Sequence, residues 1–191
     1  MPLQSNDDDA LAGAPGPLAG DRAAAPPASL EQRVAALEAD REIRRTLYGY
    51  GHAVDYGWAN LYADCFIPDA TLYWPQPGLM RGLADIMAAF RRHTHAPAMY
   101  HKHFLAEPLM IVADGRARVQ SMFARLDGTD AGPGLCAFGR YTDDLVRCPD
   151  GRWRFASRHA DIESWRHGTP PVLDQQFRQS GWSAWPPEFT H

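Results

Sequence analysis

At 191 residues, with 45% hydrophobic residues and a formal net charge of −4, the chain is sized for one domain with a substantial core. Its mild negative charge and the lack of any basic stripe argue against a nucleic-acid partner. Cys65, Cys136 and Cys148 are odd in number and lack C-x-x-C spacing, which argues against a disulfide framework or a zinc knuckle and predicts free thiols in a reducing compartment.

No apolar run approaches the roughly 20 residues that span a bilayer, so no membrane partner is expected. The opening "MPLQSNDDDA" has neither the basic nor the apolar part of a leader, and the chain reads as cytoplasmic. Residues 1–28, rich in Ala, Gly and Pro, carry few side chains large enough to offset ordering entropy, and read as a disordered tail or an arm lying on a neighbouring subunit. Order is expected from Ser29, where "SLEQ" has the form of a capping box. Leu30, Val34, Leu37, Ile43 and Leu47 then recur near helical spacing, predicting a helix to about Tyr56.

"WANLYADCF" predicts a second short helix, "PDATLYW" a strand, and "GLADIMAAFRRHTH" a helix with Leu83, Ile86, Met87 and Phe90 on one side. Strand-like segments follow at 103–112, 116–126, 134–147 and 152–165, separated by the turn signals "ADG", "DGTDAGP" and "CPDG". Helices first and antiparallel strands afterwards make the class α+β. The domain is placed at 29–168. The Pro- and Trp-rich segment 169–191 reads as an extension packed on the domain or on a neighbour.

Two phrases carry a resemblance. "IRRTLYGYGHAVDYGWANLYADCFIPDATLYW" and "YTDDLVRCPDGRWRFASRHADIESW" are similar to the two ends of the SnoaL-like family, in the nuclear-transport-factor-like superfamily. The similarity covers roughly residues 30–166. It implies a cone-shaped fold: a curved antiparallel sheet wrapped around N-terminal helices and a deep apolar pocket, a SnoaL-like α+β barrel. The family holds dehydratases, a dehydrochlorinase, cyclases, isomerases and non-catalytic dioxygenase small subunits, so the site has to decide function.

Four positions match the dehydratase and dehydrochlorinase branch. Asp55 in "AVDYGW" and His103 in "KHF" correspond to its Asp–His pair, Tyr50 to the polar residue five before the Asp, and Arg166 to an Arg after the final strand. The resemblance implies a cofactor-independent lyase, dehydratase-like, in which His103 abstracts a proton and Asp55 orients it. An isomerase or cyclase using the same base is the close alternative, and a non-catalytic subunit the distant one. It also places Trp74, Phe123, Phe138, Tyr141 and Trp165 on the pocket wall, with plain packing as the competing reading of each. It further implies a small-molecule substrate and a homo-oligomer, trimer first and dimer second.

Each site residue has a simpler reading. Asp55 also suits a solvated acid before the Gly57 turn, His103 a core histidine, Tyr50 a core aromatic and Arg166 a surface residue. The rival chemistry is metal binding. His93, His95, His101 and His103 lie within eleven residues, and "HKHFLAE" fits part of a cupin site, with His101 and His103 on one strand face. Against it, the upstream glycine and second motif of a cupin are missing, and a long opening helix does not suit a jelly roll. His93 and His95 suit a helix C-terminus. No metal and no organic cofactor are expected.

Overall fold

The computed structural model describes residues 29–106 and 108–166. Helix α1, Leu30–Tyr56, starts on the expected capping box: Ser29 Oγ accepts from the Gln32 N–H and Gln32 Oε1 accepts from the Ser29 N–H. Ile43, Leu47, Tyr50 and Val54 fall at helical spacing and are buried, whereas Leu30, Val34 and Leu37 in the first turns are exposed. The helix ends at Gly57, whose φ of 73° is left-handed.

Helix α2, Ala59–Asp64, turns the chain into β1, Phe66–Trp74. Strand β2, Gly78–Arg81, pairs back on β1 and leads directly into helix α3, Gly82–Arg92. Strands β3 (His101–Leu105), β4 (Leu109–Ala113), β5 (Arg116–Thr129), β6 (Gly132–Arg147) and β7 (Trp153–Trp165) complete a seven-stranded sheet. Its order is β2-β1-β7-β6-β5-β3, with β4 also on β5. Leu72, Val119, Leu145 and Phe155 from the sheet meet Ile43 and Leu47 from α1 and Ile86 and Phe90 from α3 in one core.

The α+β architecture with N-terminal helices on a curved sheet is the one expected. Three details differ. The sheet is mixed, because β1 lies parallel to β7. Among the described residues it is open, with β2 at one edge and β3 and β4 at the other. The predicted strand 103–112 is two: β3 pairs with Leu126 and its neighbours on β5, β4 with Val119 and its neighbours. Pro108 stands between them and has no N–H to give to a ladder. The tail 1–28 and the extension past Arg166 lie outside the described residues.

Under the sheet, Arg158 and Asp143 are buried together, with Nε 3.2 Å from Oδ1. The Arg158 guanidinium stands 4.0 Å from the centre of the Tyr50 ring and 3.9 Å from that of Tyr141. These cation–π contacts fix both rings from behind.

Candidate active site

The last turns of α1 carry Tyr50, Val54 and Asp55, and β3 crosses them with His101 and His103. Five residues on a helix turn the side chain by about 140°, so Tyr50 and Asp55 leave α1 in different directions. Tyr50 points to β1, where its hydroxyl accepts a hydrogen bond of 2.9 Å from Trp74 Nε1. Asp55 points to β3 and is 4% exposed. Its Oδ1 accepts from His103 Nδ1 at 2.6 Å, and its Oδ2 accepts from the His103 backbone N–H at 3.1 Å.

A cavity of about 500 Å³ opens on the other side of His103. Its wall takes Tyr50 and Val54 from α1, Trp74 from β1, Phe123 from β5, Tyr141 from β6 and Trp165 from β7. Asp55 is not on this wall; it stands behind His103, beside a second cavity of about 360 Å³. The imidazole thus separates the carboxylate from the larger space, with Nδ1 engaged and Nε2 as its remaining nitrogen.

Phe138, expected on the wall, and Arg166, expected to meet substrate, lie elsewhere. Phe138 is 46% exposed, because its neighbours Ala137 and Gly139 face inward and a strand alternates faces at every residue. Arg166 follows β7 as a turn residue; its N–H donates to the Cys136 carbonyl and its guanidinium lies over Gly134 on the exposed end of β6. Neither lines the cavity.

The wall also holds polar residues not expected there, among them Arg125, Cys136 and His93. Arg125 sits directly opposite His103 across β3 and β5, and Asp127 accepts from its Nε at 2.8 Å. Cys136 lies on β6 beside it. His93 is the residue that caps α3, so the helix-end reading of it holds, and its Nε2 is buried without a partner among the described residues. The register of the β3–β5 pair is the signal that identifies Arg125; His93 had only its membership in the histidine cluster.

Burial and neighbouring charges shift two of the histidines and the carboxylate between them. Burial, and then the positive charges of His101 and Arg125, push His93 down to about 4. Burial, followed by His103 and Arg125, does the same to His101, also to about 4. Burial works against ionisation of Asp55, but the hydrogen bonds and positive charge of His103 outweigh it and leave the carboxyl below its usual range. Burial raises Tyr50 above its ordinary value, which keeps the phenol protonated. His95 ties the ends of two helices: Nδ1 lies 2.6 Å from the Val54 carbonyl and Nε2 2.9 Å from that of Phe90.

One donor atom each from Asp55, His101 and His103 falls within 4.8 Å of the others, the set among the described residues able to hold a metal ion. The same geometry, without metal, is that of an imidazole base with its tautomer fixed by a carboxylate.

The profile of the SnoaL-like domain matches residues 35–159. No curated protein matches the chain significantly. Several solved structures share the fold. A candidate scytalone dehydratase from Novosphingobium aromaticivorans superposes with a TM-score of 0.62 at 17% identity, over 74% of this chain and 97% of that one. ActVI-ORFA from Streptomyces coelicolor gives 0.58 at 21% identity, over 65% and 97%. The beta subunit of a candidate aromatic-ring-hydroxylating dioxygenase, also from N. aromaticivorans, gives 0.57 at 16% identity, over 72% and 99%. No helix among the described residues is long and apolar enough to cross a membrane.

Proposed function

Since the chain belongs to the SnoaL-like domain family, we propose that it is a cofactor-independent lyase of the dehydratase kind, acting on a small ring-containing substrate. What supports this reading is the 2.6 Å contact between Asp55 and His103 at the edge of a cavity whose wall includes Trp74, Phe123, Tyr141 and Trp165. His103 Nε2 takes a proton from the carbon next to a carbonyl, and the electron pair passes to the carbonyl oxygen. As the pair returns, the carbon–oxygen bond on the β carbon breaks, and hydroxide leaves as water with the proton from His103. Asp55 stabilises the intervening imidazolium, a contribution of roughly 10²–10⁴-fold for base catalysis of this type.

Tyr50 supplies the donor for the developing enolate. Its oxygen already accepts from Trp74, so its own proton is the part left to give. Arg125, held by Asp127, offers a second partner for a substrate oxygen on the wall beside His103. Trp74, Phe123, Tyr141 and Trp165 suit a flat ring. No step requires a metal or an organic cofactor.

An isomerase or cyclase would use the same base and differ only in where the electron pair ends. A non-catalytic subunit is the reading favoured by the dioxygenase neighbour and by the outer face of the sheet. There Phe104 and Phe138 flank Ala124 in register and both are exposed. That face supports a homo-oligomer in any of these readings, trimer first, and light scattering at micromolar concentration tests it.

The functional test is a panel of β-hydroxy ring ketones. For 3-hydroxy-1-tetralone, loss of one water gives 1-naphthol, which is fluorescent. Catalysed release supports a dehydratase. Exchange of α-hydrogens in D2O without loss of water supports an isomerase or cyclase. Neither, across the panel, supports the subunit reading.

A further inference from the structure

His101 has no part in the proposed reaction, yet it sits at the centre of the site. Its side chain is 0% exposed, and neither ring nitrogen has a hydrogen-bond partner among the described residues. Its Nε2 lies 3.4 Å from Asp55 Oδ1, on the same side of β3 as His103.

We propose that Asp55, His101 and His103 form a site for a zinc-like divalent cation that switches the base off. Zinc takes imidazole nitrogen and carboxylate oxygen at about 2.0–2.2 Å in a tetrahedron, which sets neighbouring donors about 3.4 Å apart. His101 Nε2 and Asp55 Oδ1 already stand at 3.4 Å. His103 Nδ1 and Asp55 Oδ1, at 2.6 Å, are spaced for a shared proton and have to separate by less than about 1 Å when a metal takes its place. Two of the three donors are fixed by one strand, and the third is held to that strand by the His103 N–H. Water fills the fourth position. Two imidazoles and one carboxylate do not suit calcium or magnesium, which prefer oxygen ligands.

The switch follows from the tautomer. Without metal, the neutral ring of His103 carries its proton on Nδ1, facing Asp55, and its lone pair on Nε2. With metal on Nδ1, that proton moves to Nε2. The ring then presents a donor to the cavity where it presented a base, and no proton is lost overall. The inhibitory effect rests on His103 being the base; the binding itself does not.

The test uses the full chain. Cobalt added to the wild type is expected to give the visible absorption of a tetrahedral site at one equivalent, reversed by zinc. His101→Gln and Asp55→Asn are each expected to weaken cobalt binding at least tenfold. Long-range ¹H–¹⁵N spectra of wild type with zinc are expected to show the His103 ring proton move from Nδ1 to Nε2 and His101 Nε2 shift. The proposal is overturned by no cobalt band, by a band unchanged in both variants, or by ring nitrogens that ignore zinc. If the variants do not fold, the wild-type spectra decide alone. Metal binding in a chain that dehydrates nothing would overturn the lyase and leave the site standing; dehydration without metal binding would do the reverse.

Discussion

The carboxylate of Asp55 grips His103 at two points, accepting from its ring Nδ1 at 2.6 Å and from its backbone N–H at 3.1 Å. The first bond selects the tautomer and the second fixes where the strand lies against α1. Asp55→Asn keeps the shape and removes the charge. It is expected to lower turnover by about 10²–10⁴-fold, through loss of an oriented base and of support for the imidazolium. Steady-state kinetics on whichever β-hydroxy ketone is dehydrated, with circular dichroism to establish folding, checks this. Turnover within a factor of three of wild type would remove Asp55 from the mechanism.

His95 holds the end of α1 to the end of α3 through the Val54 and Phe90 carbonyls. His95→Ala leaves both carbonyls without this partner and is expected to cost about 1–3 kcal/mol. Gly57→Ala should destabilise through the same junction. Its φ of 73° disfavours any side chain, and a Cβ there would lie 3.2 Å from the Cβ of His95. Urea unfolding of both variants measures the effects; curves superimposable on wild type would mean the junction adds nothing.

Much of this arrangement is legible in the sequence. The capping box at Ser29, the α1 periodicity and the Asp-Gly turns place the helices and most strands. The resemblance then puts Asp55, His103 and Tyr50 in one neighbourhood. Phe138 failed because its face depends on register, and a shift of one residue moves a side chain to the other side of the sheet. Pro108 was a visible warning that the strand 103–112 would break. Arg125 depends on a cross-strand pairing that joins residues 22 apart, which no local pattern announces. Strand β2 has four residues, too few to show alternation.

Stability is expected to depend on pH through Asp143. Burial pushes its carboxyl up to about 7 from an ordinary 3.8, with Arg158 pulling the other way. The folded value is the higher one, so the fold keeps a proton that the unfolded chain gives up above about 4. The resulting stability is full below about 4 and is lost as pH rises towards 7. Asp143→Asn should flatten this part of the curve. Melting temperatures of wild type and variant across that range check it; the same slope in both would assign the dependence elsewhere.

Chelation is expected to leave activity unchanged or to raise it by removing adventitious zinc, because the proposed base needs no metal. Activity measured after treatment with EDTA and gel filtration checks this. Loss of activity that a divalent metal restores would establish a resident metal and favour the histidine-cluster chemistry.

Replacing His103 by glycine and adding imidazole tests whether this residue is the base. Dehydration is expected to fall at least 100-fold in His103→Gly, within the usual range for a lost general base, and to be partly restored by imidazole in a saturable way. Dehydration at the wild-type rate in His103→Gly would contradict that role.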